Sequence, residues 1–476
     1  MDYLHFTGLW WLPDNPSHLV PGTLTFQGDD NPRLALIGSF RDLTAVNEAF
    51  QPPLIHGTTA TGKKITLYRC SEIETKFSSG GLLTSEFAAR MAFIGHHFRT
   101  PEETVFCRVA VSYDRLSDWA CLSGFPYSEE HEADTGIVKK FGVEYSYPER
   151  HEINANGLVL RFAPTFRADV NLIDHYDLRQ EMHIEVEPSN PTPFDKFLTD
   201  ILYHLQNFIS LGVGRPVYPR NITGTLSPHA EEPAQPGDSA TVVQVLYPVR
   251  RSTPDKPMHP SEMLFSFASI RDQYQECLQH WFAKAPTLNP VYDLYFSTLY
   301  GSEVYLESKF LSLAQALETY HRRTFGGYYL PDEQYAALKT SLLEVLESFD
   351  MPIHTRRAYV GKLEYINELS LRRRVREVLE SCGASVTVLI ADKQGFTAKL
   401  VDTRNYLTHY DPRLEANAAR GRALYVLVQQ VKFVVELCFL KEIGLSDAAR
   451  ARIVAENQRY AYVKSLLNQG AGGTRP

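Results

Sequence analysis

Thr403-Arg404-Asn405-Tyr406-Leu407-Thr408-His409 stands just ahead of the most apolar stretch of the chain, residues 423–440. Gln429, Gln430, Lys432 and Glu436 interrupt that stretch, so it reads as the buried central helix of a bundle, over 417–441, and not as a membrane span. Working outward, the 3.6-residue period holds from about residue 261 to the end. Leu306, Phe310, Leu313, Leu317 and Tyr320 make one apolar stripe. Pro331 and Asp332 signal the start of a helix over 333–349. Further helices are predicted over 355–380 and 393–401, and Ser446 with Asp447 opens a last one to 467. The segment 470–476 reads as a disordered tail.

Ahead of residue 250 the period changes to two. Alternating runs at 22–26, 33–37, 65–68, 105–111 and 157–162 lie between clusters of Gly, Pro, Asn and Asp, a pattern that predicts a sandwich or a barrel. One helix interrupts it at 193–211, with Phe197, Ile201, Leu205 and Ile209 on one face. The Pro- and Gly-rich segment 227–240 reads as a loop, 241–249 as one more strand and 251–260 as a linker. The expected fold class is thus α+β: a β-sandwich-like domain at 1–250, a linker and helical connector at 251–295, a helical bundle at 296–467 and a tail at 468–476.

The 476 residues exceed what one core organises. A composition of 44% hydrophobic and 22% charged residues is that of a globular protein and excludes a disordered or fibrous one. The net charge of -8 does not announce nucleic-acid binding, so an RNA substrate needs a local basic patch. The six cysteines form no CxxC pair and read as reduced thiols. The N-terminus has no signal-peptide pattern. Together these features lead us to expect a cytoplasmic chain with no membrane partner.

The string 403–409 carries the set that RNA cleavage needs, and its short spacing can let Arg404 and His409 face one polar notch near a helix terminus. When a ribose 2′-OH attacks the adjacent phosphorus, one proton must leave the nucleophile and another must reach the 5′-oxygen. The imidazole of His409 can serve either step, as base or as acid. The fork of Arg404 can stabilise the charge gathering on the phosphoryl oxygens. The amide of Asn405 can hold His409 or the phosphate in register, and backbone N–H groups at a helix start would add anion affinity. No metal and no cofactor is called for, because the nucleophile belongs to the substrate. By spacing alone, the string reads as a surface arginine and a helix-capping histidine.

In context, Arg-Asn-x-x-x-His after a helical bundle and before an apolar helix resembles the HEPN superfamily, whose R-x4-6-H motif marks its ribonucleases. The helix ending Ala316-Leu-Glu-Thr-Tyr-His-Arg-Arg-Thr-Phe325 is similar to the first helix of the ApeA-type HEPN domain. The opening Gly8-Leu-Trp-Trp-Leu-Pro13 with Gly22-Thr-Leu-Thr-Phe26 is similar to the ApeA N-terminal domain. The resemblance covers most of the chain. It implies anti-phage defence by abortive infection, HEPN domains paired as a homodimer, and cleavage of RNA, with transfer RNA one candidate target. An N-terminal sensor of a phage-derived trigger follows from domain logic. Two alternatives stand beside it: a non-catalytic HEPN module that binds RNA or protein, and a ligand-binding β-domain with a helical dimeriser.

Other residues invite a role. Glu318, His321 and Arg322 share a helix face and could line the same notch as His409; the alternative is a solvated ion-pair face. Arg372, Arg373 and Arg374, in the run Leu371–Arg376, could meet RNA phosphates; the alternative is again a solvated face. His96-His97 and His131 repeat no metal-ligand spacing and read as exposed loop residues. Trp10 and Trp11 read as packing.

Overall fold

A computed structural model describes residues 3–41, 49–77, 83–132, 134–171, 175–226, 240–250, 256–301 and 304–471. Most of the expected loop 227–240, the first half of the expected linker 251–260 and most of the expected tail 470–476 lie outside the described residues. The chain forms two compact units, Met1–Phe282 and Ala283–Pro476.

In the first unit, strands β1 (Tyr3–Leu12), β2 (Asn15–Gln27), β3 (Arg33–Ile37), β4 (Leu54–Thr59), β5 (Lys64–Phe77) and β6 (Leu83–Ile94) close on themselves. The ring runs β6-β3-β2-β1-β4-β5 and returns to β6, antiparallel throughout. Of the two architectures that the alternation allows, the barrel is the one found. Its inward residues, among them Trp10, Val20, Leu24, Leu34, Ile65, Leu67 and Phe87, are all buried and fill the interior. Trp10 presses so closely on β4 that a Cβ at Gly57 would come within 2.3 Å of its ring, which only glycine avoids.

β6 is long enough to serve two sheets. Thr84–Ala88 pairs with β3, while Ala92–Ile94 pairs with the strand Val242–Leu246. From there the sheet continues outside the barrel through Pro219–Thr225, Arg108–Tyr113, His175–Pro188 and Leu158–Asn171 to an edge strand, Glu152–Ala155. The helical stretch 194–213 covers this extension with Phe197, Ile201, Leu205, Phe208 and Ile209 buried. Trp119, Phe162, Phe208, Phe265, Phe267 and Tyr274 form an aromatic core beneath it.

The second unit is helical. Its first full helix, Leu306–Thr324, buries Phe310, Leu313, Leu317 and Tyr320, and packs on the central helix Gly421–Glu442. The central helix is the one described helix long and apolar enough to cross a membrane, and most of it is buried within the bundle. The polar residues that interrupt it have internal partners. Glu436 accepts hydrogen bonds from Tyr295 Oη (2.7 Å), Tyr460 Oη (2.6 Å) and Arg459 (2.8 Å), and the amide of Gln430 donates to Leu389 O (2.7 Å). Burial pushes the Glu436 carboxyl up, but Arg459, Lys432 and the two tyrosine hydroxyls hold it below its ordinary value. Burial also brings the Lys432 ammonium down to about 8.

Three expected helices differ in extent. The helix expected over 355–380 is two, Ile353–Leu363 and Leu371–Ser381, because Tyr328 and Glu368 form a β-bridge and Ser370 caps the second. The last helix is also two, broken at the extended Asn457. The helix expected to end at Val401 runs to His409, with consequences for the site.

Candidate active site

The helix Lys393–His409 starts at Asp392, whose carboxylate accepts from the Gly395 N–H at 2.9 Å. Phe396, Thr397, Leu400, Val401 and Thr403 are its buried residues. The Thr403 hydroxyl accepts from the Ala419 N–H at 2.9 Å, which ties the helix to the approach to the central helix. Tyr410 ends the helix in the left-handed region, at φ 50°. The string 403–409 therefore forms the last two turns. This corrects the expectation that backbone N–H groups of a helix start serve the site: at this end the unpaired groups are carbonyls. It also corrects the shared notch. Residues five apart on a helix sit roughly 140° around its axis, so Arg404 and His409 diverge within one chain.

Arg404 retains 35% of its side-chain exposure, with the nearest carboxylate oxygen, on Glu318, 3.9 Å away. Its guanidinium donates to Asn405 Oδ1 at 3.2 Å, so the expected pair does meet. Glu318 is also held by Arg322 at 3.1 Å, and Arg322 by Glu368 at 2.7 Å. The expected cluster of Glu318 and Arg322 thus adjoins Arg404. His409 is exposed at the helix end, where it adds to the pull of Arg413 that holds the Asp411 carboxyl down to about 2. Two residues that the sequence did not single out frame the string. Arg420, at the cap of the central helix, donates to Tyr406 Oη at 2.5 Å and lies 5.1 Å over its ring. The Glu415 carboxylate holds the same guanidinium at 2.6 Å. The signal available was an aromatic inside the motif with an arginine at the next helix start.

His321 and Arg374 correct the expectation for them. The His321 ring is fully buried, so it does not line a notch with His409. Its Nε2 lies 2.6 Å from Glu377 Oε2 and its Nδ1 3.1 Å from the Arg374 guanidinium. A guanidinium has no acceptor, so Nδ1 must accept and Nε2 must carry the proton: the ring is neutral. Burial holds its pKa below the ordinary value, against the raising effect of Glu377. Arg374 is 1% exposed and donates to the carbonyls of Leu369, Gly326 and Gly327. It clamps the chain reversal after the Leu306–Thr324 helix and does not face solvent. Arg373 is exposed but bound to Glu377 at 2.8 Å and laid over the Tyr329 ring. Arg372 is exposed, 3.7 Å from Asp402 on the motif helix.

Residues 5–281 match the family model of ApeA N-terminal domain 1, and residues 311–449 match that of the Apea-like HEPN domain. The chain belongs to the ApeA family. No curated protein and no solved structure matches it. The first match nearly coincides with the strand-rich unit, and the second lies within the helical unit. ApeA proteins stand in an anti-phage defence context, and HEPN domains are in general ribonuclease folds.

In this ApeA chain, no group of three or more His, Cys, Asp or Glu that could hold a metal ion is found among the described residues. The neighbouring His96 and His97, expected to be exposed, are half-buried. His97 stacks on His56 at 4.7 Å and 15°, both rings meet Trp11 edge-on, and each bonds a carbonyl: His97 to Gly57 O and His56 to Phe98 O. His131 is exposed beside Glu129. The ApeA HEPN domain thus presents a half-exposed arginine fork, an amide beside it and a solvent-facing imidazole at one helix end. The fork can take a phosphate and the imidazole can carry a proton.

Proposed function

We propose that the HEPN domain is a metal-independent endoribonuclease with Arg404, Asn405 and His409 as its catalytic core. The observation that carries the reading is Arg404: its side chain keeps 35% of its exposure, and its carboxylate neighbour is 3.9 Å off rather than in bidentate contact. A fork held that loosely can exchange Glu318 for a phosphate. In the reaction a base takes the 2′-OH proton, the 2′-oxygen bonds to phosphorus, and the 5′-oxygen leaves with a proton from an acid. The products are a 2′,3′-cyclic phosphate and a 5′-hydroxyl, with no water consumed.

One chain supplies one histidine for two proton transfers, and its Arg404 and His409 point apart. A homodimer resolves both difficulties, since two-fold symmetry can set His409 of one copy beside Arg404 of the other. Two such sites facing one cleft would concentrate positive charge in a chain of net charge -8. In this reading the enzyme is cytoplasmic, acts on RNA (transfer RNA being one candidate), and is restrained until a phage-derived trigger reaches the N-terminal domain. Its action then aborts the infection. The test is incubation of purified protein with total RNA, in EDTA, beside a His409→Ala control. Cleavage with cyclic-phosphate ends that disappears in the control is expected. Full activity in the control, or activity lost in EDTA and restored by a divalent ion, sinks the reading.

A further inference from the structure

Between the clamp at Gly326–Gly327 and the helix Leu371–Ser381, the chain forms a helical arm. Its two helices are Asp332–Ser348 and Ile353–Leu363. The base is fixed. Asn367 exchanges hydrogen bonds with Leu330 at 2.9 Å in both directions, its carbonyl accepts from Tyr329 N–H at 2.8 Å, and Leu369 N–H reaches Gly327 O at 2.8 Å. Along its length the two helices hold each other: Tyr335 Oη donates to Leu363 O, and Arg356 to Phe349 O.

The outer faces of the arm have no cover. None of the 17 residues of the first helix is buried, and of the 11 in the second only Leu363 is. Val345, Phe349 and Ile353 are 52%, 59% and 65% exposed, and Leu338 falls on the same helix face as Val345, at i and i+7. A hairpin whose apolar side chains face water at its turn is an interface awaiting an occupant.

Charge names the occupant. The first helix carries Asp332, Glu333, Glu344 and Glu347 against Lys339 alone. The second carries Arg356, Arg357 and Lys362, and no carboxylate. One helix is acidic and its neighbour basic, so a surface bearing both is complementary to itself under a two-fold rotation: each acidic helix meets the basic helix of the other copy. That is the signature of an isologous contact. We infer that this arm, residues 332–363, is a self-association surface that pairs with the same arm of a second copy, its apolar side chains packed together and its charges crossing the axis. This inference does not rest on the ribonuclease reading, and a pairing of active sites would be a separate interface.

Sedimentation velocity of the full chain at micromolar concentration tests it. Val345→Glu with Ile353→Glu should lower the mass twofold, whatever the starting oligomer. Both positions face solvent and glutamate suits a helix, so the melting temperature should hold. Two charge variants give an independent check. Glu344→Lys with Glu347→Lys makes both helices basic, and Arg357→Glu with Lys362→Glu makes both acidic. Each alone should halve the mass, and mixing the two should restore it in a mixed assembly. Arg404→Ala and His409→Ala should keep this step, so failure here is separable from failure of the catalytic reading. The proposal is overturned if the wild-type chain sediments as a monomer, if either kind of variant keeps the wild-type mass, or if mixing restores nothing.

Discussion

Replacing Arg404 by alanine separates a catalytic role from a structural one, and the structure sets both magnitudes. At 35% exposure with a single carboxylate 3.9 Å away, Arg404 contributes about 0–1 kcal/mol to stability. At roughly 2–4 °C per kcal/mol for a unit of this size, Tm should fall by no more than about 4 °C. A group that stabilises phosphoryl charge in the transition state supplies far more, on the order of 100- to 1,000-fold in kcat. His321→Ala should do the reverse. That ring is fully buried between Glu377 and Arg374, and its loss leaves two charged groups with one partner fewer. The cost is about 2–4 kcal/mol, seen as a Tm lower by roughly 4–16 °C. The assay is cleavage of labelled RNA under single-turnover conditions, with a thermal melt of each variant. If Arg404→Ala cleaves at the wild-type rate, or loses activity only in step with its Tm, the reasoning fails.

Glu436→Gln should lower Tm by about 6–20 °C, since breaking a buried charge cluster costs about 3–5 kcal/mol, and a change under 2 °C would contradict the network described. His56, His97 and His321 all have pKa values lowered by burial from 6.5. The unfolded chain therefore binds protons more readily, so stability should be full above pH 6.5 and decline as pH falls below it; a melt series flat from pH 7 to 5.5 would refute this. Arg374→Lys should destabilise, because an ammonium cannot reproduce the fork that serves Leu369, Gly326 and Gly327, and a Tm equal to wild type would show that the clamp is dispensable.

Periodicity made both halves of the fold legible because both rest on local patterns: the period-two runs of 22–26 and 33–37, and the stripe from Leu306 to Tyr320. What was not legible depends on distant partners. Nothing near Thr84–Ala88 announces that β6 also pairs with β5 to close a barrel, or that its last residues bond a strand some 150 positions later. The run Leu371–Arg376 shows adjacent arginines as equals. The carbonyls of Leu369, Gly326 and Gly327 and the His321 ring distinguish Arg374, which is buried, from Arg373, which lies on the surface. Likewise the candidate triplet was readable as residue types, but its place at the end of a helix was not. Thr403 and the buried face from Phe396 to Val401 carry that helix past the expected stop at Val401 and turn Arg404 away from His409. Glu436 looked like an interruption in an apolar helix because its partners, Tyr295 and Arg459, come from other helices.

The outermost strand, Glu152–Ala155, has a consequence for solubility. A sheet of twelve strands would ordinarily offer two long rows of unpaired amides, each a template for a neighbouring molecule. Here one end of the sheet is consumed by closure of the barrel, and the other finishes on a strand of only four residues. That strand is guarded: Glu152 is bound to Arg161 at 2.6 Å, and Arg161 to Glu187 at 2.7 Å, which sets a line of fixed charge across the edge. A second chain adding itself there would find few backbone groups to bond and would have to strip water from those ions. The strand Glu152–Ala155 is thus a poor template for a second chain.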